Sequence, residues 1–187
     1  MSQITKIALE QSLKKLLKNK PLDKITISDI TEDCGISRMT FYYHFKDIYD
    51  LLEWSFSKDA DTILKGKKSY QTWQDGLLVV FLSLRENADF TRNVYSSMSR
   101  DVLERFLYKL TKNLLLDVVK EESAGLVVKD EDQEFIADFY KYAFVGILLD
   151  WIRFGMKDEP QFMVKKLGMM LEGTFRRSLE NLSLGKD

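Results

Sequence analysis

The sequence predicts an all-α protein with about nine helices, in which three helices at the N-terminus precede a larger helical body. Apolar residues recur at the spacing of amphipathic helices over almost the whole chain. Only two prolines and nine glycines interrupt the 187 residues, and this scarcity favours long helices over a sheet protein with many turns. We place the boundary between the two parts after residue 46, so that the predicted domains are 1–46 and 47–187.

The first three predicted helices are identified by their caps and apolar stripes. The first helix has apolar residues at the i, i+4, i+7 and i+8 positions of one face, which are Leu9, Leu13, Leu16 and Leu17. Thr26 begins the second helix as part of a capping box with Asp29, and Gly35 ends it as a left-handed C-cap. Ser37 caps a third helix of about seven residues. Two short helices joined at Gly35 predict a helix-turn-helix.

Six longer helices are predicted in the remainder of the chain. They cover residues 47–65, 70–87, 89–97, 99–122, 131–155 and 159–182. Pro160 fits the first turn of the last helix, where a missing amide hydrogen has no cost.

The composition argues against several classes of function. No stretch approaches the ~18 apolar residues of a membrane span and no signal-peptide pattern begins the chain, so we expect a cytoplasmic protein. His44 is the only histidine and has no partners at metal-ligand spacing, so a DNA-adjacent or packing role is favoured for it. Cys34, the only cysteine, fits a buried apolar position better than a redox sensor. Without a phosphate-cradling glycine loop or a nucleophile elbow, we predict no enzyme, metal or cofactor.

The charge is unevenly distributed, although the net charge is only −1. Residues 1–46 contain eight Lys/Arg and five Asp/Glu, whereas the remainder contains 20 and 24. A basic N-terminal part suits a protein that presents one end to phosphates. A chance distribution explains the uneven charge about equally well. The charge therefore only supports the interpretation of the third helix.

The third helix presents aromatic residues on the side that faces away from its buried side. At about 100° per residue, Phe41 and Phe45 lie about 40° apart and define the buried side. Met39 and Tyr43 point away from them. Exposed aromatic residues on so short a helix are unfavourable unless a binding partner buries them. The major groove of DNA can do so. Three kinds of group can then bind base edges or phosphates. They are the guanidinium group of Arg38, the hydroxyl groups of the helix and the ammonium group of Lys46.

Three segments resemble the DNA-binding domain of the TetR family of regulators. They are Thr26–Ile30, Gly35–Ser37 and Thr40–Lys46, within a match from about residue 4 to about residue 52. The resemblance implies a homodimer that binds a pseudo-palindromic operator with its first three helices, followed by a domain that dimerises and often binds an effector. It implies contacts, mostly to phosphates, from Thr26, Ser37, Thr40, Tyr42, His44 and Lys46. It implies base reading by Arg38, Met39 and Tyr43. Two positions depart from the family pattern: Ile48 replaces a frequent lysine and Met39 a frequent small residue.

The C-terminal part resembles one branch of the same family. Residues 139–156 are similar to the C-terminal domain of the Firmicutes branch that includes the dihydroxyacetone-kinase operon activator. The resemblance implies control of DNA binding by a small-molecule effector or, alternatively, by a partner protein.

Two further sets of residues are candidates for an effector pocket and a dimer interface. Residues 47–187 contain 19 aromatic residues, which fill either a helical core or an apolar pocket between helices. The candidate pocket residues are Trp73, Phe90, Tyr95, Phe106, Tyr108 and Tyr142. The last two predicted helices have apolar faces that suit either a four-helix dimer interface or a buried helix pair. The candidate interface residues are Phe135, Phe139, Ala143, Gly146, Ile147, Met163, Leu167, Met170, Leu171 and Phe175.

Overall fold

The computed structural model describes residues 2–66 and 69–183, and over these residues the protein is all-helical. A short 3-10 helix, Leu22–Lys24, follows the first of ten α-helices. These are α1 Ser2–Leu17, α2 Ile27–Cys34, α3 Arg38–His44, α4 Ile48–Ile63, α5 Trp73–Glu86, α6 Ala88–Ser97, α7 Arg100–Glu122, α8 Asp130–Arg153, α9 Pro160–Leu171 and α10 Thr174–Leu182. The predicted all-α class is confirmed. None of the described helices is long and apolar enough to cross a lipid bilayer.

The caps predicted for the helix-turn-helix are present. The Asp29 amide donates to Thr26 Oγ1 at 3.1 Å, and the Thr26 amide donates to Asp29 Oδ2 at 2.7 Å, which completes the capping box. Gly35 ends α2 with a φ of 67°, in the left-handed region that favours glycine. The Thr40 amide donates to Ser37 Oγ at 3.1 Å at the start of α3.

The predicted last helix, residues 159–182, is wrong because the chain turns within it. Helix α9 ends at Leu171, Gly173 has a φ of 69°, and α10 begins at Thr174. The apolar pattern continues across this turn, so the spacing of residues does not reveal it.

The chain divides into two compact units. The first consists of Met1–Thr62 and Asn87–Leu103, and the second of Ile63–Glu86 and Glu104–Asp187. The first unit is thus larger than the DNA-binding domain predicted for residues 1–46, and that boundary stays a prediction. The side chain of Asn93 shows why α6 belongs to the first unit: it donates to the carbonyls of Leu17 and Lys20, at 2.8 and 3.0 Å.

Each unit has its own apolar core. In the first, the buried residues come from α1, the 3-10 helix and its C-cap, α2, α3 with its C-cap, α4 and α6: Leu9, Leu13, Leu17, Leu22, Ile25, Ile30, Phe41, Phe45, Leu51, Leu52 and Val94. In the second, a cluster from α7, α8 and α10 consists of Leu115, Val118, Val119, Ile136, Ala137, Tyr140, Phe144, Phe175 and Leu179. The cores fix the helices from which the candidate sites project.

Candidate DNA-binding surface

Helix α3 has the orientation that its sequence predicts. Phe41 and Phe45 are 0% and 3% exposed, whereas Met39 and Tyr43 are 83% and 82% exposed. Tyr42, on the flank, is 53% exposed. The buried phenylalanines anchor the helix in the core and leave its opposite face open to a partner. A helix that presents one exposed face at the end of a helix-turn-helix has the shape that enters the major groove.

The N-caps of α2 and α3 are exposed hydroxyl residues, Thr26 and Ser37. Ser37 Oγ lies 2.8 Å from Thr40 Oγ1, so the two hydroxyls share a hydrogen bond in the first turn of α3. Thr26 is exposed at the start of α2. The pKa of Asp29 is lowered to about 2, first by the hydrogen bond from Lys20 and then by those from Thr26. Lys20 compensates the negative charge of Asp29 beside the N-terminus of α2.

The basic residues of the first unit fall into two groups. Lys14, Lys15 and Lys20 form ion pairs with carboxylates of the same unit. Among the residues that the structure describes, neither Arg38 nor Lys46 has an ion-pair partner, and both are exposed. The distribution of the basic residues is therefore more informative than the charge excess of residues 1–46, because Arg38 and Lys46, which lack ion-pair partners among the described residues, flank α3.

The loop after α3 is closed by acidic residues that cap the next helix. The Lys46 amide donates to Asp50 Oδ2 and the Asp50 amide donates to Asp47 Oδ1, both at 2.9 Å. Ile48 packs against the core of the first unit, where the family resemblance would place an exposed lysine. Tyr49, 42% exposed, follows it in the first turn of α4 and was missed by the sequence analysis. Its position two residues after the Asp47 cap was the signal that could have identified it.

The lone histidine contacts a neighbouring aromatic ring, and the lone cysteine packs against the core of the first unit. The His44 ring lies edge-on to Tyr43, with centroids 4.9 Å apart. Cys34 Sγ donates to the Ile30 carbonyl at 3.1 Å, and burial raises the pKa of its thiol. Among the described residues, no group of His, Cys, Asp and Glu is arranged to hold a metal ion.

The six candidate pocket residues are distributed over both units. Phe90 packs edge-on against Phe56, and the Tyr95 hydroxyl accepts a hydrogen bond from Arg100, all in the first unit. The other four lie in the second unit, where they pack locally. Trp73 lies edge-on to Phe144, Phe106 is buried, and Tyr108 lies edge-on to Tyr142.

An open cavity of about 250 Å³ lies instead between α8 and α10. It is lined by Phe135, Ile136, Phe139, Tyr140, Ser178, Asn181 and Leu182. Two of the lining residues, Phe135 and Phe139, belong to the candidate interface and none to the candidate pocket.

The candidate interface residues separate into exposed and buried groups. Phe135, Phe139 and Met170 are 68%, 64% and 73% exposed, and Ala143 and Gly146 are also exposed. Ile147 and Met163 are half-buried, whereas Leu167 and Leu171 pack against the core of their own unit.

Phe175 does not belong to an exposed face. It is 1% exposed, and its ring lies 4.4 Å from that of Tyr140. The turn at Gly173 separates Phe175 from the face of α9, so the predicted continuity of the two was wrong. Tyr142 of α8, assigned to the pocket from the sequence, is exposed on the same helix as Phe135 and Phe139. The sequence analysis missed Phe162 and Met169 of α9, which are also exposed.

Comparison with known proteins identifies both parts of the chain. A family model described as "Bacterial regulatory proteins, tetR family" matches residues 12–53. A TetR model described as "Transcriptional regulator C-terminal region" matches residues 71–173. The HTH-type dhaKLM operon transcriptional activator DhaS of Lactococcus lactis subsp. lactis (strain IL1403) is 28% identical over 148 residues, which cover 78% of either chain.

Solved structures share the fold. The dihydroxyacetone kinase operon activator DhaS superposes with a TM-score of 0.64 at 23% identity, covering 97% of this chain and 99% of that one. The repressor AlkX of Dietzia sp. strain DQ12-45-1b gives 0.56 at 13% identity, covering 92% and 95%. NalD, a repressor of Pseudomonas aeruginosa, gives 0.54 at 16% identity, covering 96% and 98%.

These matches confirm a DNA-binding regulator rather than an enzyme. The model of the C-terminal region alone matches more than half of the chain, and the tetR-family model matches the helix-turn-helix described above. The chain therefore belongs to the TetR family of bacterial transcriptional regulators.

Proposed function

We propose that this protein acts in the cytoplasm as a homodimer that binds a pseudo-palindromic operator by placing α3 in the major groove. The observation that carries the proposal is the orientation of α3. Met39 and Tyr43 are more than four-fifths exposed, opposite two buried phenylalanines. Apolar and hydroxyl groups in this position meet thymine methyl groups and base edges.

Base reading and phosphate contact are assigned to different residues. Arg38, Met39 and Tyr43 occupy the exposed start and face of α3, so we assign base reading to them. Phosphate or backbone contacts are assigned to Thr26, Ser37, Thr40, Tyr42, His44 and Lys46. We add Tyr49, because it is exposed in the first turn of α4 where Ile48 supplies no charge.

The homodimer is proposed from the exposed apolar faces of α8 and α9. Phe135 and Phe139 of α8, with Phe162, Met169 and Met170 of α9, are each more than 60% exposed. Large apolar side chains that recur exposed along two helices indicate an interaction site. Two such helices from each protomer would form a four-helix interface. The dimer would place its two α3 helices about 34–36 Å apart, in successive major grooves.

Control of DNA binding by a small-molecule effector remains part of the proposal. Such a ligand would act by favouring one spacing of the two α3 helices over another. A partner protein is the second candidate regulator. It is proposed from the similarity to the transcriptional activator DhaS, which extends over 78% of either chain. A melting shift with a small molecule and no partner would favour the first candidate.

Selection of bound sequences from random double-stranded DNA tests the operator proposal. We expect enrichment of a pseudo-palindrome whose half-sites are about 10–10.5 base pairs apart, or a multiple of that spacing. Enrichment of a single half-site would contradict the dimeric arrangement. No enrichment over unselected DNA would contradict sequence-specific binding by α3.

A further inference from the structure

A buried carboxylate of α1 contacts polar side chains of α4. Glu10 is only 2% exposed. Its Oε1 accepts hydrogen bonds from Lys14 Nζ at 2.8 Å and Ser55 Oγ at 3.0 Å, and its Oε2 accepts one from Lys58 Nζ. Burial raises the pKa of this carboxyl, but the hydrogen bonds from Lys14, Lys58 and Ser55 outweigh burial and the net shift is downward. Glu10 is therefore charged at neutral pH.

This cluster joins α1 to α4. Glu10 and Lys14 belong to α1, whereas Ser55, Lys58 and Asp59 belong to α4. Lys14 Nζ also donates to Asp59 Oδ2 at 2.7 Å, so both helices contribute an acid and a base. Helix α4 leads out of the first unit, since the second unit begins at its last residue. The charged cluster thus holds one of the three segments at which the chain passes from one unit to the other.

The same cluster extends to the end of α3. Lys58 Nζ lies 5.4 Å from the centre of the Trp54 ring, within the range of a cation–π contact. The Trp54 ring packs against that of Phe45, with centroids 5.7 Å apart. Phe45 is the C-cap of α3. Glu10 therefore contacts, through Lys58 and Trp54, the residue at which the proposed recognition helix ends.

Stability alone is a poor explanation for such a cluster. Moving charges out of water has a large cost, and apolar replacements of a buried ion pair are often as stable or more so. Charge-assisted hydrogen bonds are directional, and they restrict the angle between helices more than apolar contacts do. A cluster that spans α1, α4 and the end of α3 is therefore suited to fixing orientation.

We propose that Glu10 is a positioning residue for operator recognition, which fixes α4 on α1 and thereby sets the end of α3. The proposal rests on the proposed placement of α3 in the major groove. It predicts that loss of the Glu10 charge reduces binding to the selected operator more than binding to unrelated DNA. The reason is that only operator binding requires the side chains of α3 to be aligned with particular base edges.

The test compares Glu10→Gln with wild type on both kinds of DNA. Glutamine has nearly the same size and can still accept from Ser55, but it lacks the charge that pairs with Lys14 and Lys58. We expect operator affinity to fall about tenfold or more and affinity for unrelated DNA by less than about threefold. Leu22→Ala is the matched control, because it removes a buried side chain from the same core outside α1 and α4. At a temperature where it is fully folded, it is expected to keep the wild-type ratio of the two affinities.

Lys58→Gln provides a second variant in case Glu10→Gln fails to fold. Lys58 is partly exposed, so its loss affects folding less, and the same direction of change is expected. Operator affinities of folded variants equal to wild type would overturn the proposal, as would an equal loss on both kinds of DNA. A wild-type protein that selects no operator would instead overturn the proposed function on which this inference rests.

Discussion

Exposure and charge separate the side chains of α3 and the loop that follows it into two groups. Arg38 is exposed in the first turn with no ion-pair partner among the described residues, and its fork can reach a guanine edge. Tyr42 lies on the flank of α3 and Lys46 beyond its end, where the proposed placement of α3 in the major groove would bring phosphates. The first group should affect the choice of sequence and the second the strength of binding to any sequence.

We expect Arg38→Ala to cost about 1–3 kcal/mol of binding free energy on the selected operator and to relax the preference at one base pair. Lys46→Ala should weaken binding to all sequences and reduce the slope of log affinity against log salt by about 1. Tyr42→Ala should likewise weaken binding to operator and unrelated DNA together. Gel-shift titrations at several salt concentrations measure these changes. Unchanged binding of all three variants would refute the assignment of α3 as the recognition helix.

Asp29 makes stability depend on pH in acid. Its pKa is lowered from 3.8 to about 2, first by the hydrogen bond from Lys20 and then by those from Thr26. A carboxyl whose pKa is lowered in the folded state contributes stability above its unfolded pKa and loses it as the pH falls towards the folded pKa. Between pH 4 and pH 2, the free energy of unfolding of wild type should therefore fall more steeply than that of Asp29→Asn. Urea unfolding at fixed ionic strength measures both, and parallel curves would contradict the predicted role of Asp29.

At the scale of elements, the separation of α9 from α10 depends on one backbone conformation. Gly173 adopts a φ of 69°, and a Cβ at this position would meet nothing within 4 Å. A side chain there is strained by its backbone conformation rather than by neighbours.

Gly173→Ala should therefore lower the free energy of unfolding by about 1–2 kcal/mol. Gly173→Asn should lower it less, because asparagine tolerates the left-handed region. Urea unfolding at one protein concentration compares the two variants with wild type. If alanine were as stable as glycine, a continuous helix from α9 into α10 would be compatible with the fold.

Helix α6 illustrates how an element is assigned to a unit by contacts that are distant along the chain. The Asn93 side chain accepts from the Leu22 amide and donates to the Leu17 and Lys20 carbonyls. The Leu17 carbonyl belongs to the last turn of α1, whose carbonyls have no partners within the helix. Because α6 also contributes Val94 to the core, it stabilises the DNA-binding unit although it follows α5 in the chain.

At the scale of the whole molecule, dimerisation is predicted to be necessary for high affinity. Phe139 is 64% exposed on α8, and Phe139→Glu would place a charge in the proposed interface. We expect this variant to sediment as a monomer, since an unpaired buried charge is strongly unfavourable. It should also lose most of its affinity for a two-half-site operator.

Val127→Glu is the matched control for Phe139→Glu. Val127 is 67% exposed but lies between α7 and α8, outside the proposed interface helices. It should remain a dimer with wild-type operator affinity in the same sedimentation and gel-shift experiments. A dimeric Phe139→Glu variant would place the interface elsewhere on the molecule.

The fold class, the helix caps and the outward face of α3 could be read from the sequence because they depend on neighbours within four residues. A capping box joins Thr26 to Asp29, and the buried side of α3 is defined by Phe41 and Phe45. The resemblance to the TetR family likewise depends on residues at fixed, short spacings along the chain. For the aromatic residues of 47–187, no local pattern distinguished a pocket position from a core position. The reason is that the same types of apolar residue occupy both kinds of position.

What only the tertiary structure decided depends on residues far apart in the chain. The Glu10 carboxylate meets Ser55 across 45 residues, and Asn93 meets Leu17 across 76. The burial of Phe175 against Tyr140 follows from the turn at Gly173, through which the apolar pattern continues unchanged. Local propensity determines which segments form helices and where they are capped, whereas the faces that become buried are set by the packing of one helix on another.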